Sequence, residues 1–160
     1  MITKQFTITF ADNKKVMIRK INKTDKDFYI NSVKAFYSSD AVLHKIPEEN
    51  IYRTFNELMN SETYAQCYIF EKDEKRAGYA LLAKTFSQEA GGEVLWIDEI
   101  FILPEFRCKG LGSEFFVFLK ENSKAARLRL EFCPNNEKAI EMYKRQGFQP
   151  LRYGQMIYGN

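Results

Sequence analysis

The sequence predicts a mixed α/β layer fold, an α+β arrangement with a central mixed sheet and about four helices divided between its faces. Three observations carry that prediction. The run VLWIDEIFIL, 94–103, is apolar on both faces apart from Asp98 and Glu99, as a central strand is. A strand–helix–strand order spans 94–132, which calls for a right-handed crossover between two parallel strands. Elsewhere, segments with apolar residues at helical spacing alternate with short β-branched and aromatic runs.

Residues 4–10 and 15–21 have strand composition, and the polar Ala11-Asp12-Asn13-Lys14 between them suggests a hairpin. Thr24 is placed to cap a helix over 25–38, with Phe28, Val33, Phe36 and Tyr37 as apolar points. Pro47 opens a second helix to about residue 60, where Ile51, Phe55, Leu58 and Met59 form a stripe. Strands are expected at 63–71 and 77–86, around a charged turn from Lys72 to Arg76. Gly91 and Gly92 lead into the strand at 94–103, and Pro104 ends it. Gly110 opens a helix to about 122 that turns Leu111, Phe115, Phe118 and Leu119 inward. After a strand at 126–132, Asn135 or Asn136 caps a helix that stops at Gly147. Residues 148–158 read as one or two closing strands.

A chain of 160 residues suits one domain, expected here over 1–160. The net charge of +3 comes from scattered Lys and Arg, not from the basic stripe of a nucleic-acid binder. Cys67, Cys108 and Cys133 are odd in number and lack metal-ligand spacing, so no metal is expected and a reduced cytoplasmic setting is the simplest reading. MITKQFTITF alternates where a signal peptide would have an apolar core, and no run nears the ~20 apolar residues of a membrane span.

The chemistry concentrates in RCKGLG, 107–112. Gly110 and Gly112 sit between a strand and a helix, where backbone can approach a ligand closely. The free N–H groups of a first helical turn favour an anion, and Arg107 and Lys109 add positive charge, so a phosphate or pyrophosphate is the natural ligand. A nucleotide-binding loop would need GxxxxGK followed by Ser or Thr, which is missing. A dinucleotide turn needs a third glycine where Phe115 stands. The pattern that fits throughout is Arg or Gln, two free positions, Gly, one free position, then Gly or Ala.

Two longer stretches extend that fit. IDEIFILPEFRCKGLGSEF, with Ile102, Pro104 and Phe106, and then NEKAIEMYKRQGF, 136–148, resemble in order the two signature blocks of the GNAT acetyltransferase superfamily. The resemblance covers 94–148 well, and the first 90 residues only in the order of elements. It implies a GNAT-like acyl-CoA N-acyltransferase fold and acetyl-CoA as acyl donor. It implies that Arg107, Cys108, Lys109, Gly110, Leu111, Gly112 and Ser113 hold the pyrophosphate and that Ile100, Phe101 and Ile102 run along the cofactor. A splayed neighbouring strand would free the N–H of Phe101 or Ile102 for the oxyanion. Asn136 would bond the pantetheine arm, Ala139 leave room for it, and Tyr143 face the thioester sulfur. From the residues alone, Asn136, Ala139 and Tyr143 share one helix face, and Tyr143 is equally explained as a core tyrosine with its hydroxyl at the rim.

Asp98 and Glu99 interrupt the apolar strand, and buried carboxylates are costly unless paired or functional. Strand alternation predicts that they face opposite ways and that at most one reaches a given cleft. The resemblance makes Asp98 the first choice for a base or amine-binding group and Glu99 the second, with an ordinary salt bridge as the alternative. His44, between the two early helices, is most simply a loop residue, and Cys108 is not placed as a nucleophile. Glu48, Glu49, Tyr37, Tyr52 and Phe55 fit an acceptor site and an ordinary helix face equally well.

The reading is an N-acetyltransferase that moves acetyl from acetyl-CoA to a primary amine by direct transfer. Its acceptor is a small amine, polyamine, amino acid or protein amine. The alternative is a non-catalytic acyl-CoA-binding module. A homodimer through C-terminal edge strands is a further expectation.

Overall fold

The computed structural model describes residues 6–9, 15–39, 42 and 44–159; the expected turn at 11–14 lies outside them. The chain runs β1 (Phe6–Thr9), β2 (Lys15–Lys20), a 3-10 turn (Lys23–Asp25), α1 (Lys26–Tyr37), α2 (Glu48–Asn60), β3 (Ala65–Lys72), β4 (Lys75–Ser87) and β5 (Gly92–Ile102). A second 3-10 turn (Pro104–Phe106), α3 (Leu111–Asn122), β6 (Arg127–Leu130) and α4 (Glu137–Arg145) follow. The strands lie in chain order in one mixed sheet. Pairing is antiparallel from β1 to β5, and β5 and β6 pair in parallel across the α3 crossover.

Each sheet face carries its own core. On one face Phe70, Leu82, Leu95 and Ile97 pack against Leu111, Phe115, Phe116 and Leu119 of α3. On the other, Ile69, Tyr79, Leu81 and Phe101 pack against Tyr29, Val33, Ile51 and Phe55 of α1 and α2. Each such side chain, fully removed from water, contributes about 1.5–3 kcal/mol before conformational entropy is set against it.

The start of α1 differs from expectation. Thr24 lies inside the 3-10 turn that leads into α1, and Asn22 caps that turn: its side chain accepts from the Thr24 N–H, and Asp25, the residue before α1, bonds back to the Asn22 N–H in a capping box. Asp25 is fully buried. It accepts from Arg19 Nη1 at 2.6 Å and Nη2 at 2.8 Å, and from Arg76 Nε at 2.7 Å. Arg19 also donates to Glu71 of β3. One carboxylate thus ties the head of α1 to β2 and β4, and α1 ends at Tyr37.

The closing strands expected over 148–158 do not form; 148–159 has no regular structure, and Leu151, Tyr153, Met156, Ile157 and Tyr158 are exposed. Pro150, Gly154 and Gly159 interrupt that segment, and a strand without a bonded edge cannot satisfy its backbone internally. A cavity of about 1070 Å³ runs along the outer edge of β6 between α4 and residues 146–155. It is the space a strand paired to β6 would fill, although Tyr143 and Glu131 line part of it. No helix among the described residues is long and apolar enough to cross a membrane.

Candidate active site

The site begins where two parallel strands part. β5 pairs with β6 only from Val94 to Ile97, opposite Arg127 to Leu130. From there β5 continues to Ile102 against β4 alone. A gap therefore opens at the carboxyl ends of β5 and β6, the usual place for a ligand in a parallel sheet. β5 leads through the glycine turn into α3, and β6 leads into α4. A Cβ on Gly112 would lie 3.6 Å from Met142 Cε and 3.8 Å from Ile102 Cδ1, so the strand end and both helices converge on that glycine.

The turn itself is a cradle of donors. Cys108 has φ +58° and Gly110 φ +85°, two left-handed residues that coil the backbone ahead of α3. The first N–H to bond back is that of Glu114, to Gly110 O at 3.0 Å. The N–H groups of 108–113 have no acceptor among the described residues. Arg107 braces the turn by donating from Nε to Ile102 O at 2.9 Å, and Lys109 Nζ donates to Glu105 O at 2.6 Å. Both cations are exposed beside the N–H groups. An anion fits this arrangement.

The same contacts sort the strand backbone. Leu103 N–H donates to Ala77 O of β4, and Phe101 O is turned against Gly78 of β4. By alternation the polar groups of Ile100 and Ile102 point to the open edge and those of Phe101 away from it.

Strict alternation between Asp98 and Glu99 fails here. Leu81 pairs with Glu99 and Leu82 with Ile97, so Asp98 is an extra residue, a β-bulge. Ile97 consequently packs on the α3 side and Phe101 on the α1/α2 side, although an unbroken strand would put both on one face. Glu99 turns with Phe101 and is 6% exposed. Its Oε1 accepts from the Tyr37 hydroxyl at 2.8 Å and its Oε2 from the Tyr79 hydroxyl at 2.6 Å. Asp98 reaches solvent at the gap, and both carboxylates bear on the Tyr37 hydroxyl.

The electrostatics are lopsided. Partial burial, then repulsion by Glu99 and by Glu131 across the gap, pushes Asp98 up to about 6. Burial raises Glu99 as well, against the two phenol hydrogen bonds that lower it. Asp25, the other buried acid, has two arginines and stays below the usual carboxylate range. Glu99 has phenols where Asp25 has cations.

The remaining residues divide clearly. Asn136 caps α4, accepting from the Ala139 N–H at 3.2 Å. That use occupies its carbonyl oxygen and leaves its amide nitrogen without a partner among the described residues. Tyr143 is half-buried, edge-on to Phe116 at 5.8 Å, and burial raises its hydroxyl. Glu48 is bonded by Lys34 and Tyr52, Glu49 pairs with Arg53, and Phe55 is core, so none of these lines the gap as an open group. His44 is exposed ahead of α2. Tyr37 alone of that set reaches the acids. Tyr79 and Glu131 carried no local sequence signal at all.

A mixed sheet with a strand gap leading to a glycine turn defines an acyltransferase-type frame. The model of the Acetyltransferase (GNAT) family matches residues 30–148, and the chain belongs to that family. Compared with curated proteins by sequence, the chain matches none. Among solved structures, a possible acetyltransferase from Clostridium difficile 630 is 17% identical with a TM-score of 0.76, covering 91% of this chain and 97% of that one. The aminoglycoside N-acetyltransferase AAC(6')-Iy in complex with CoA is 16% identical with a TM-score of 0.74, covering 94% and 98%. Glucosamine-6-phosphate N-acetyltransferase from Arabidopsis thaliana is 20% identical with a TM-score of 0.66, covering 91% and 99%. At these identities the likeness is one of fold.

Proposed function

We propose that this chain transfers an acetyl group from acetyl-CoA to a primary amine, directly within a ternary complex. One observation carries the reading: a single gap joins a cradle of N–H groups at 108–113 to an acidic pair, and among the described residues the first has no acceptor and the second no cation beside it. The first suits a pyrophosphate and the second an alkylammonium. Bound acetyl-CoA supplies the activated thioester. The turn from Arg107 to Ser113 anchors its phosphates. Along the open edge, the N–H of Ile100 or Ile102 meets the developing oxyanion, a donor worth about 3–4 kcal/mol in other acyl transfers. Asn136 bonds the pantetheine arm through its amide nitrogen, beside Ala139.

Asp98 and Glu131 draw a cationic acceptor into the gap, and the acid pair relieves it of its proton. An alkylammonium, with a pKa of ~10.4, attacks only after that loss. The free thiols of Cys67, Cys108 and Cys133 support a reducing, cytoplasmic setting. The decisive assay is thiol release from acetyl-CoA with spermidine, a lysine-containing peptide, free amino acids and an aminoglycoside. A stable acetyl-enzyme formed from acetyl-CoA alone would refute direct transfer.

Two further outcomes are expected. Tyr143→Phe lowers turnover by roughly 10², the low end for a general acid. A thiolate of pKa ~8.5 leaves fairly well unaided, and burial makes this phenol a weaker acid. Unchanged turnover with saturating acceptor removes Tyr143 from that role. Gly110→Ala forces a side chain into φ +85°, a strain of about 1–2 kcal/mol. Relief of that strain disturbs the cradle, so the Kd for acetyl-CoA rises by about tenfold. Calorimetric titration that finds the wild-type affinity would remove Gly110 from the phosphate site.

A further inference from the structure

We infer that Tyr37 is the group that meets the acceptor's ammonium and that it relays the proton to Glu99. The inference deepens the acetyl-transfer reading and rests on it. Glu99 is too buried to touch a substrate itself, at 6% exposure. Tyr37, the last residue of α1, is only partly buried. Its hydroxyl sits 2.8 Å from Glu99 Oε1 and within the field of Asp98 at the mouth of the gap. Tyr79, on the other carboxylate oxygen, is fully buried and has no such access.

Among the described residues, the titratable groups that face Glu99 are Tyr29 and Tyr37 from α1, Cys67 from β3, Tyr79 from β4 and Asp98 beside it on β5. None of them is a cation. A carboxylate removed from water without positive charge is poised to accept a proton. Two phenol donors hold it in place, and burial makes protonation easier.

In the step, an N–H bond of the ammonium breaks and its proton binds the Tyr37 hydroxyl oxygen. The hydroxyl's own proton passes to Glu99 Oε1. The acceptor goes from a cation to a neutral amine, Glu99 from a carboxylate to a neutral acid, and Tyr37 stays a phenol. No further reactant is consumed. Asp98 holds the ammonium in place until the proton has gone.

The comparison of Tyr37→Phe with Tyr79→Phe tests this. Each removes one hydrogen bond to the same carboxylate, so both variants lose stability and both move the acid limb of kcat/KM to higher pH. Only Tyr37→Phe breaks the path. Its pH-independent plateau is expected to fall by roughly 10², and by about tenfold or more beyond that of Tyr79→Phe. Equal plateau losses in the two variants, or a wild-type plateau in Tyr37→Phe, would overturn the relay. The proton inventory of wild-type kcat/KM in H₂O–D₂O mixtures does not depend on how the variants fold. A bowed curve, from two protons in flight, supports the relay, and a straight line overturns it. Wild-type protein that releases no thiol with any amine of the panel would sink the acetyl-transfer reading and the relay with it. An active wild type with indifferent Tyr37→Phe sinks the relay alone.

Discussion

Glu99→Gln is expected to lower kcat/KM for the amine acceptor by about 10²–10⁴ at neutral pH, with the melting temperature unchanged or higher. The two halves of that expectation have one cause. Gln keeps the shape of the side chain, accepts from one phenol and donates to the other, so both contacts at 2.8 and 2.6 Å have a replacement. It removes a carboxylate whose ionised form burial disfavours. A carboxyl raised above its unfolded value makes the ionised state a burden on folding at neutral pH, so the neutral isostere does not destabilise. What disappears is the proposed base. Asp98→Asn has a different signature. Asp98 ionises at about 6, so its attraction for an ammonium is present above that pH and fades below it. Its loss raises KM and removes that limb, with the smaller effect on kcat. Profiles from pH 5 to 9 at saturating acetyl-CoA separate the two. If Asp98→Asn takes the large kcat loss and Glu99→Gln keeps the wild-type rate, the base is Asp98.

The largest effect on stability is expected at Asp25. Asp25→Asn leaves Arg19, whose side chain is 8% exposed, with Glu71 alone, and leaves Arg76 without its acid. Breaking one partner of a buried ion pair costs about 3–5 kcal/mol, a fall in Tm of roughly 10 °C for a chain of this size. The pH dependence has a definite sign. Burial alone would raise the Asp25 carboxyl, but Arg19, the Asn22 N–H and Arg76 together lower it below its unfolded value. Its contribution is therefore full above the unfolded pKa of ~3.9 and is lost as pH falls through the lower folded value. Urea denaturation should show the gap between wild type and Asp25→Asn closing between pH 5 and pH 2. A gap constant over that range would mean that Asp25 acts by packing alone. The same variant bears on the site, because Asp25 anchors the head of the helix whose last residue is Tyr37.

Much of this was legible because its signals are local. The apolar run ending at Pro104, the glycine turn and the Asn136 to Phe148 block each declare themselves within some twenty residues. The parallel pairing of β5 with β6 follows from the crossover they enclose. Local reading failed at the cap before α1. Thr24 suits a cap by residue type, but it lies within the 3-10 turn, and the extended backbone that a cap needs is at Asn22. It failed again at 148–158, where strand composition found no bonded edge among the described residues.

The layer architecture, the glycine turn and the two acids in a central strand are local properties of the chain, because periodicity, glycine and proline act over a few residues. Which groups those acids touch was settled by packing alone. The bulge at Asp98 depends on how β5 registers against β4, and it reverses the face that Glu99 would occupy in a regular strand. The two phenols that hold Glu99 come from positions 62 and 20 residues away. Pairing at such separations is a property of packing, and no pattern along the chain encodes it.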